Sequence, residues 1–477
     1  MGFIGETVLT TTPICICPLR WKVSQHTFIF LFPILHGGIL TEKNYGKLAV
    51  EYAKRYRGRI EIIPRCPIHS LEDFAIWYTP GVAENCRRIL EDEDESFEQT
   101  WRWNTVAVVT DGSRVLGLGN IGAIAGLPVM EGKALLFKYL GGVDAVPLAI
   151  AAQDPDEIIR FVKNIEPSFG GINLEDIATP KCFYILNRLQ EELDIPVWHD
   201  DQQGTATVTL AALINALKIV GKKMEEVSIA MVGAGAANIA IAKLLMKAGV
   251  DGGKIVMVDS KGILNRERHD MERLKTSNPY KWEMAHLTNR ENKAGGIAEA
   301  LEGVDVVIAA SRPGPGVIKR EWVAKMADDA VVFALANPVP EIWPWEAKEA
   351  GAKIVATGRS DFPNQVNNSL VFPAVFRGAL DVRARKITDE MIIAAARELA
   401  RYAEEKGLSE DYIVPTMEDW DVYPRVAAVV AEKAVEQDLA RRKLSREEEE
   451  ENARRIIERT RSIVKLLMEK ELIEPLS

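Results

Sequence analysis

The sequence predicts an α/β protein of two successive domains closed by C-terminal helices, and three observations carry the prediction. Short β-branched apolar runs alternate with helical apolar spacing between residues 105 and 198. The alternation restarts at Val227 and continues to Thr357. From Thr388 onward only helical spacing remains. A chain of 477 residues suffices for two or three domains with a large core. Its 59 basic against 69 acidic residues, a net charge of −10, argue against a nucleic-acid partner, which requires a basic face. The five cysteines (Cys15, Cys17, Cys66, Cys86, Cys182) are odd in number and lack zinc spacing, which points to reduced thiols in a cytoplasmic protein.

Residues 1–42 read as an extension outside the fold. Lys22 precedes an apolar run, Phe28 to Leu35, that is too short to span a bilayer and is broken by Pro33. The following Gly37-Gly38-Ile39-Leu40 is a poor processing site. Residues 44–56 have helical spacing. Asp73 to Tyr78 reads as an extended apolar segment, and Pro80-Gly81 then turns into a helix through Leu90. Val-Ala-Val-Val within 105–110 is a buried strand and 114–118 a second strand. Lys133 to Tyr139 follows a glycine-rich loop entering an apolar helix. Strand 146–151, helix 155–165, strand 171–174, helix 180–193 and strand 195–198 complete the first series. Helix 205–220 leads to the second, with strands at 227–232, 254–259, 304–310, 330–335 and 353–357. Residues 437–471 are rich in Glu and Arg. Ser445-x-x-Glu448 forms a capping box, and Glu450/Arg454 and Glu451/Arg455 are i,i+4 pairs on a solvated helix face. The expected domains are 43–204, 205–362 and a helical segment 363–477 that packs back on the first.

Chemistry is concentrated at strand ends. Asp200 and Asp201 follow the apolar Ile195-Pro196-Val197-Trp198, and Glu175-Asp176 lies a short way upstream. Carboxylates so placed make a hard oxygen site suited to Mg²⁺ or Mn²⁺, the bland alternative being a solvated helix start with Asp as its cap. Two glycine patterns compete for a dinucleotide. Gly117-x-Gly119-x-x-Gly122 fits the spacing, but Ala-Gly-Leu-Pro follows it and no helix is expected there. Gly233-Ala-Gly235-Ala236-Ala237 lacks the third glycine, yet it lies between β-branched strands and opens a clean helix. The pyrophosphate is therefore placed at Gly233 and Gly235, on that helix's N-terminus, in a Rossmann-type domain. Asp259 ends the second strand at the offset of an acid that accepts the ribose hydroxyls. It favours NAD over NADP by repelling a 2′-phosphate, with Lys261, Arg266 and Arg268 close enough to soften that preference.

A proton acceptor and donor complete the set. Lys133 has apolar sequence neighbours that favour loss of its charge, and Tyr78 stands before a Pro-Gly turn. A snorkelling lysine and a core tyrosine are the plain alternatives.

The ordered segments Tyr78-Thr-Pro-Gly-Val-Ala, Thr110-Asp-Gly-Ser-Arg through Lys133, Asn173-Leu-Glu-Asp, Asp200-Asp-Gln-Gln-Gly-Thr, Gly233-Ala-Gly-Ala-Ala, Ala334-Leu-Ala-Asn337-Pro and Gln365-Val-Asn367-Asn368 together resemble the prokaryotic type of malic enzyme. The resemblance implies NAD or NADP and Mg²⁺ or Mn²⁺ as cofactors, with Glu175, Asp176 and Asp201 as metal ligands. It implies that Lys133, assisted by Asp200, takes the malate hydroxyl proton and that Tyr78 protonates C3 of enolpyruvate. It places Asn337, Asn367 and Asn368 at substrate, Asn337 also at cofactor, and Arg114 at a substrate carboxylate. It assigns the Gly117 pattern to the substrate domain. The expected partners are malate and pyruvate and a second copy of the chain in a homodimer, with no nucleic acid and no membrane. Competing readings are a non-decarboxylating amino-acid or methylene-tetrahydrofolate dehydrogenase, which needs no metal acids, and a non-catalytic dinucleotide sensor, which needs neither Lys133 nor Tyr78.

Overall fold

The computed structural model describes residues 45–476, so the expected extension 1–42 lies outside the described residues. The chain divides into two units, residues 1–55 and 56–477. In the first unit the described part is nearly all of helix α1 (Tyr45–Tyr56), whose last turn carries Lys54 and Arg55 against the negative helix end.

The second unit begins with helices α2 (Leu71–Trp77), α3 (Val82–Glu91) and α4 (Ser96–Gln99). The expected extended segment at 73–78 is thus helical. The Ser70 side chain accepts from the Glu72 amide and the Asp73 carboxylate accepts from the Ser70 amide, so a capped helix start prevails over the apolar, aromatic composition.

Strand β1 (Thr105–Thr110) follows, then α5 (Ala123–Gly141), β2 (Asp144–Ala149), α6 (Pro155–Ile165), β3 (Gly171–Leu174), α7 (Lys181–Glu192) and β4 (Val197–His199). They form a parallel sheet in the order β2-β1-β3-β4. Val106, Val108 and Val109 of β1 are wholly buried, as expected of a strand covered on both faces. Two expectations fail here. Residues 114–118 make a turn rather than a strand: Leu116 has φ +46° and the Val115 amide donates to Gly119 O at 2.9 Å. And α5 opens directly after Gly122, with Pro128 inside it, because Met130, Ala134, Phe137 and Leu140 gain burial along one side.

A single wide turn, Asp200–Gly204, leads into α8 (Thr205–Val220). The stretch Asp200–Val220 is long and apolar enough to cross a membrane by composition, yet 67% of it is buried in the protein, where α8 packs on its neighbours. The second sheet comprises β5 (Ile229–Val232), β6 (Ile255–Asp259), β7 (Gly262–Ile263), β8 (Val306–Ala309), β9 (Val331–Ala334) and β10 (Ile354–Thr357), in the order β10-β9-β8-β5-β6-β7 with β7 antiparallel. Helix α9 (Ala236–Ala248) connects β5 to β6. Helices α10 (Met271–Ser277), α11 (Pro279–Leu287), α12 (Ile297–Leu301), α13 (Arg320–Val323) and α14 (Pro344–Glu349) fill the remaining connections.

Four helices close the chain: α15 (Phe372–Asp381), α16 (Asp389–Lys406), α17 (Val422–Glu436) and α18 (Arg446–Glu469). All ten residues of α15 are buried, Arg377 and Asp381 among them, so the helix is covered on every side. It packs against α5 and α17, while α18 packs against α17 and α5 and α16 against α8. The capping box forms, Ser445 Oγ accepting from Glu448 N at 3.2 Å. Glu450 pairs with Arg454 at 3.3 Å, but Arg455 bonds Asn452 instead of Glu451. The helix is solvated on one side only, since Ala453 and Ile457 are buried.

Candidate active site

The carboxyl ends of β3 and β4 lie side by side, which brings together acids separated in sequence. Glu175 follows β3, and its amide donates to Val109 O at 2.9 Å. Asp176 turns away in the left-handed region, φ +54°, and its amide donates to Asp201 Oδ2 at 3.0 Å. Carboxylate oxygens of Glu175, Asp176 and Asp201 lie within 4.8 Å of one another, and Asp176 Oδ2 is buried without a partner. Three hard oxygen donors with one orphaned acceptor fit Mg²⁺ or Mn²⁺.

Lys133 reaches this cluster from α5. Its ammonium hydrogen-bonds Asp200 Oδ2, lies 3.3 Å from Glu175 Oε1 and 3.2 Å from Asn368 Oδ1, and sits 4.6 Å over the Phe372 ring. The other Asp200 oxygen accepts from Trp198 Nε1 at 3.0 Å. A Cβ at Gly204 would come within 2.1 Å of Asp200 Oδ1, so only glycine allows the wide turn to close on that carboxylate.

The electrostatics correct one expectation. Burial alone would strip Lys133 of its proton, but Asp200 and Glu175 outweigh it and hold the ammonium well above its ordinary value. Burial drives the Glu175 carboxyl well above its usual range, against the pull of Lys133 and with the other acids adding to the rise. Burial and Asp201 likewise raise Asp176. Unneutralised, this cluster favours protons.

Other predicted residues divide. Asn368 faces Lys133, whereas Asn367 caps the following turn, accepting from Ser369 N at 3.0 Å. Asn337 is half-buried; its carbonyl lies 3.2 Å from where a Gly117 Cβ would stand, which sets the Gly117 loop against the end of the second sheet. The Arg114 side chain is exposed, and its backbone amide donates to Asp176 O at 2.9 Å. Tyr78 is 68% exposed and makes no hydrogen bond with Lys133 or the acids.

At the dinucleotide turn Gly233 has φ +104°, and a Cβ there would meet Ala310 O at 2.6 Å. Gly235 caps α9, and no atom lies within 4 Å of where its Cβ would be, leaving open space at the helix N-terminus beside Ala236 and Ala237. Where a third glycine is missing, the buried Asn238 ties the turn by donating to Val232 O and Gly233 O, both at 2.9 Å. Asp259 is paired with two cations, Arg268, which the sequence places close by, and Lys281. Arg268 Nη1 approaches Oδ1 at 2.8 Å and Lys281 Nζ approaches Oδ2 at 3.0 Å; these cations outweigh burial and hold the carboxyl below its ordinary value.

Sequence reasoning passed over His199 and the Asp111–Lys181 pair. His199 is wholly buried, burial keeps its imidazole neutral, and both ring nitrogens lack partners, Nδ1 lying 3.7 Å from Asp201 Oδ2. Asp111 is buried at the end of β1 and ion-paired with Lys181 of α7. The only signal for either was position, one beside the acid pair and one at a strand end.

This arrangement has counterparts. The malic enzyme N-terminal domain matches residues 57–190, and the malic enzyme NAD binding domain matches residues 202–435. The chain belongs to the malic enzyme family. It is 50% identical to the NAD-dependent malic enzyme of Geobacillus stearothermophilus, over 81% of this chain and 78% of that one. It is 43% identical to the NADP-dependent malic enzyme of Halomonas elongata, over 83% and 94%. The crystal structure of the Entamoeba histolytica malic enzyme superposes with a TM-score of 0.88 at 48% identity, covering 91% of this chain and 90% of that one. A malic enzyme is a decarboxylating oxidoreductase that uses NAD or NADP and a divalent metal, so the non-decarboxylating and non-catalytic readings are set aside.

Proposed function

We propose that the protein converts malate to pyruvate and CO₂, with its proton chemistry centred on Lys133. The observation that carries this reading is the Lys133 ammonium lying 3.3 Å from Glu175 Oε1, which sets a proton carrier beside a cluster of three carboxylates able to hold a metal. When bound, a divalent ion on Glu175, Asp176 and Asp201 supplies Lewis acidity to substrate oxygens, and a nicotinamide dinucleotide on Gly233, Gly235, Ala236 and Ala237 accepts hydride.

Lys133 Nζ and Asp200 Oδ2 share a hydrogen bond and so can relay a proton. As Nζ takes the malate hydroxyl proton, its own passes to Asp200. Asn368 and Phe372 fix the ammonium's position, and Asn367 fixes Asn368 through its cap. Asn337 and Arg114 orient the substrate and its carboxylate. Tyr78 Oη returns a proton to C3 of enolpyruvate.

Because Tyr78 is exposed, it serves a site completed by assembly. Leu71, Phe74, Ile76 and Trp77 around it are all at least 49% exposed, an apolar face that a homodimer covers. Cys66, Cys86 and Cys182 are unpaired, in keeping with a reducing, cytoplasmic setting.

The test supplies malate with NAD and with NADP, with and without EDTA, and follows CO₂ and reduced cofactor together. Reduced cofactor without CO₂, or turnover indifferent to EDTA, overturns the reading.

A further inference from the structure

A cavity of about 300 Å³ opens at the other end of the first sheet, where Trp103 precedes β1 and Gly142 follows α5. It is separate from the acid cluster at the carboxyl strand ends. Arg65, Arg442, Arg455 and Arg459 line it, and none of these is in an ion pair among the described residues. The remaining charges are matched: Arg383 with Glu98, Lys138 with Asp144, and Asp381 with Arg377. The cavity therefore carries uncompensated positive charge. Its walls also offer surface for an organic body, with Phe97, Leu380 and Ile456 lining it beside Trp103, and Arg65 lies 4.7 Å over the Trp103 ring.

Like charge is concentrated here. Burial, with Arg459 and Arg377 nearby, lowers Arg65 below its ordinary value, although Asp144 opposes the shift. Guanidinium groups that converge while the nearby carboxylates are paired with other cations repel one another until an anion enters, and their planar forks suit phosphate oxygens. A dicarboxylate would neutralise only half of the four free arginines, whereas two phosphate groups carry close to four negative charges at neutral pH.

We propose that this cavity is a binding site for a small, doubly phosphorylated organic compound. Two helices tie it to the acid cluster. α5 carries Lys133 and reaches the cavity at Gly142, nine residues later, about 13 Å along the axis at the α-helical rise. α15 runs from Phe372, under the Lys133 ammonium, to Asp381 in the cavity wall. The helices are in close contact, since a Cβ at Gly141 would come within 2.5 Å of Pro373 O. A ligand at the basic end thus sits against both elements that position Lys133.

The experiment is calorimetric titration of the intact protein with fructose 1,6-bisphosphate, with Mg²⁺ and saturating NAD present and ionic strength held constant with NaCl. Inorganic phosphate is titrated in parallel. We expect saturable binding of one equivalent per chain, at least tenfold tighter than inorganic phosphate. Arg455→Glu combined with Arg459→Glu, both exposed on α18, should weaken it at least tenfold while basal malate turnover stays unchanged. Arg459→Gln alone should weaken it less. No saturable binding, equal affinity for inorganic phosphate, competition by NAD, or undiminished binding by a folded, active double variant would each overturn the proposal.

Discussion

The Lys133 ammonium lies 3.3 Å from Glu175 Oε1, and the two side chains are only 11% and 3% exposed. A cation held this close to the proposed metal ligands would compete with the metal for the same negative charge. Lys133→Met should therefore bind Mn²⁺ more tightly, by about tenfold, while turnover falls by roughly 10² to 10⁴, the usual worth of a general acid–base. Metal titration by calorimetry beside malate kinetics checks it. Weaker metal binding by a folded variant would show that Lys133 supports the ligands rather than opposing them.

Asp201 is one of the three carboxylates proposed to hold the metal, and it also accepts from the Asp176 amide at 3.0 Å. Asp201→Asn keeps an oxygen for the amide but loses the charge. The Mg²⁺ concentration for half-maximal activity should rise by roughly tenfold to a hundredfold. An unchanged metal requirement removes Asp201 from the ligand set.

We propose that cofactor choice turns on Asp259, an acid already paired with cations. Asp259→Ser would free Arg268 and Lys281, which now hold the carboxylate at 2.8 and 3.0 Å, and leave them facing the position of a 2′-phosphate. The NADP-to-NAD ratio of kcat/KM should rise by about tenfold or more, a shift of about 1.4 kcal/mol or more. An unchanged ratio means that this strand end does not meet the ribose.

Metal and pH should be linked in stability. Burial raises Glu175 and Asp176 above their ordinary values. A carboxyl raised in the folded state stabilises the fold at low pH and loses that contribution as pH climbs through the raised range. With EDTA the melting temperature should fall as pH rises from the ordinary carboxylate range towards neutrality and beyond. With Mg²⁺ the fall should shrink, because the ion takes the place of the protons. Thermal melts across pH with and without metal measure it, and parallel curves would count against this site as the metal's.

The apolar face of α2 predicts assembly. Phe74→Glu places a charge among Leu71, Ile76 and Trp77, exposed at 87%, 58% and 49%. Light scattering should then report a smaller species, and turnover should fall with it because Tyr78 loses its partner site. A variant of unchanged mass retires this interface.

The sequence by itself determined the strand–helix alternation, helix α8 at 205–220, the capping box at Ser445 and the clustering of acids at strand ends. Each rests on local physics: the period of apolar residues, the hydrogen-bonding reach of a cap, and the way a parallel strand delivers its last residues to one edge. It misread α2 and the start of α5 for the converse reason. In α2 a cap overrode composition, and in α5 burial carried Pro128 within a helix.

Only the tertiary structure decided the charge states. Lys133 has apolar sequence neighbours, yet Asp200 and Glu175 reach it across the chain and hold its proton. Asp259 has Lys261, Arg266 and Arg268 near it in sequence, but only the fold selects Arg268 and adds the more distant Lys281 as its partners. Residue type and spacing are local and legible in one dimension. The electrostatic state of a buried group depends on what converges on it within a few ångströms, and that is settled only when distant segments pack together.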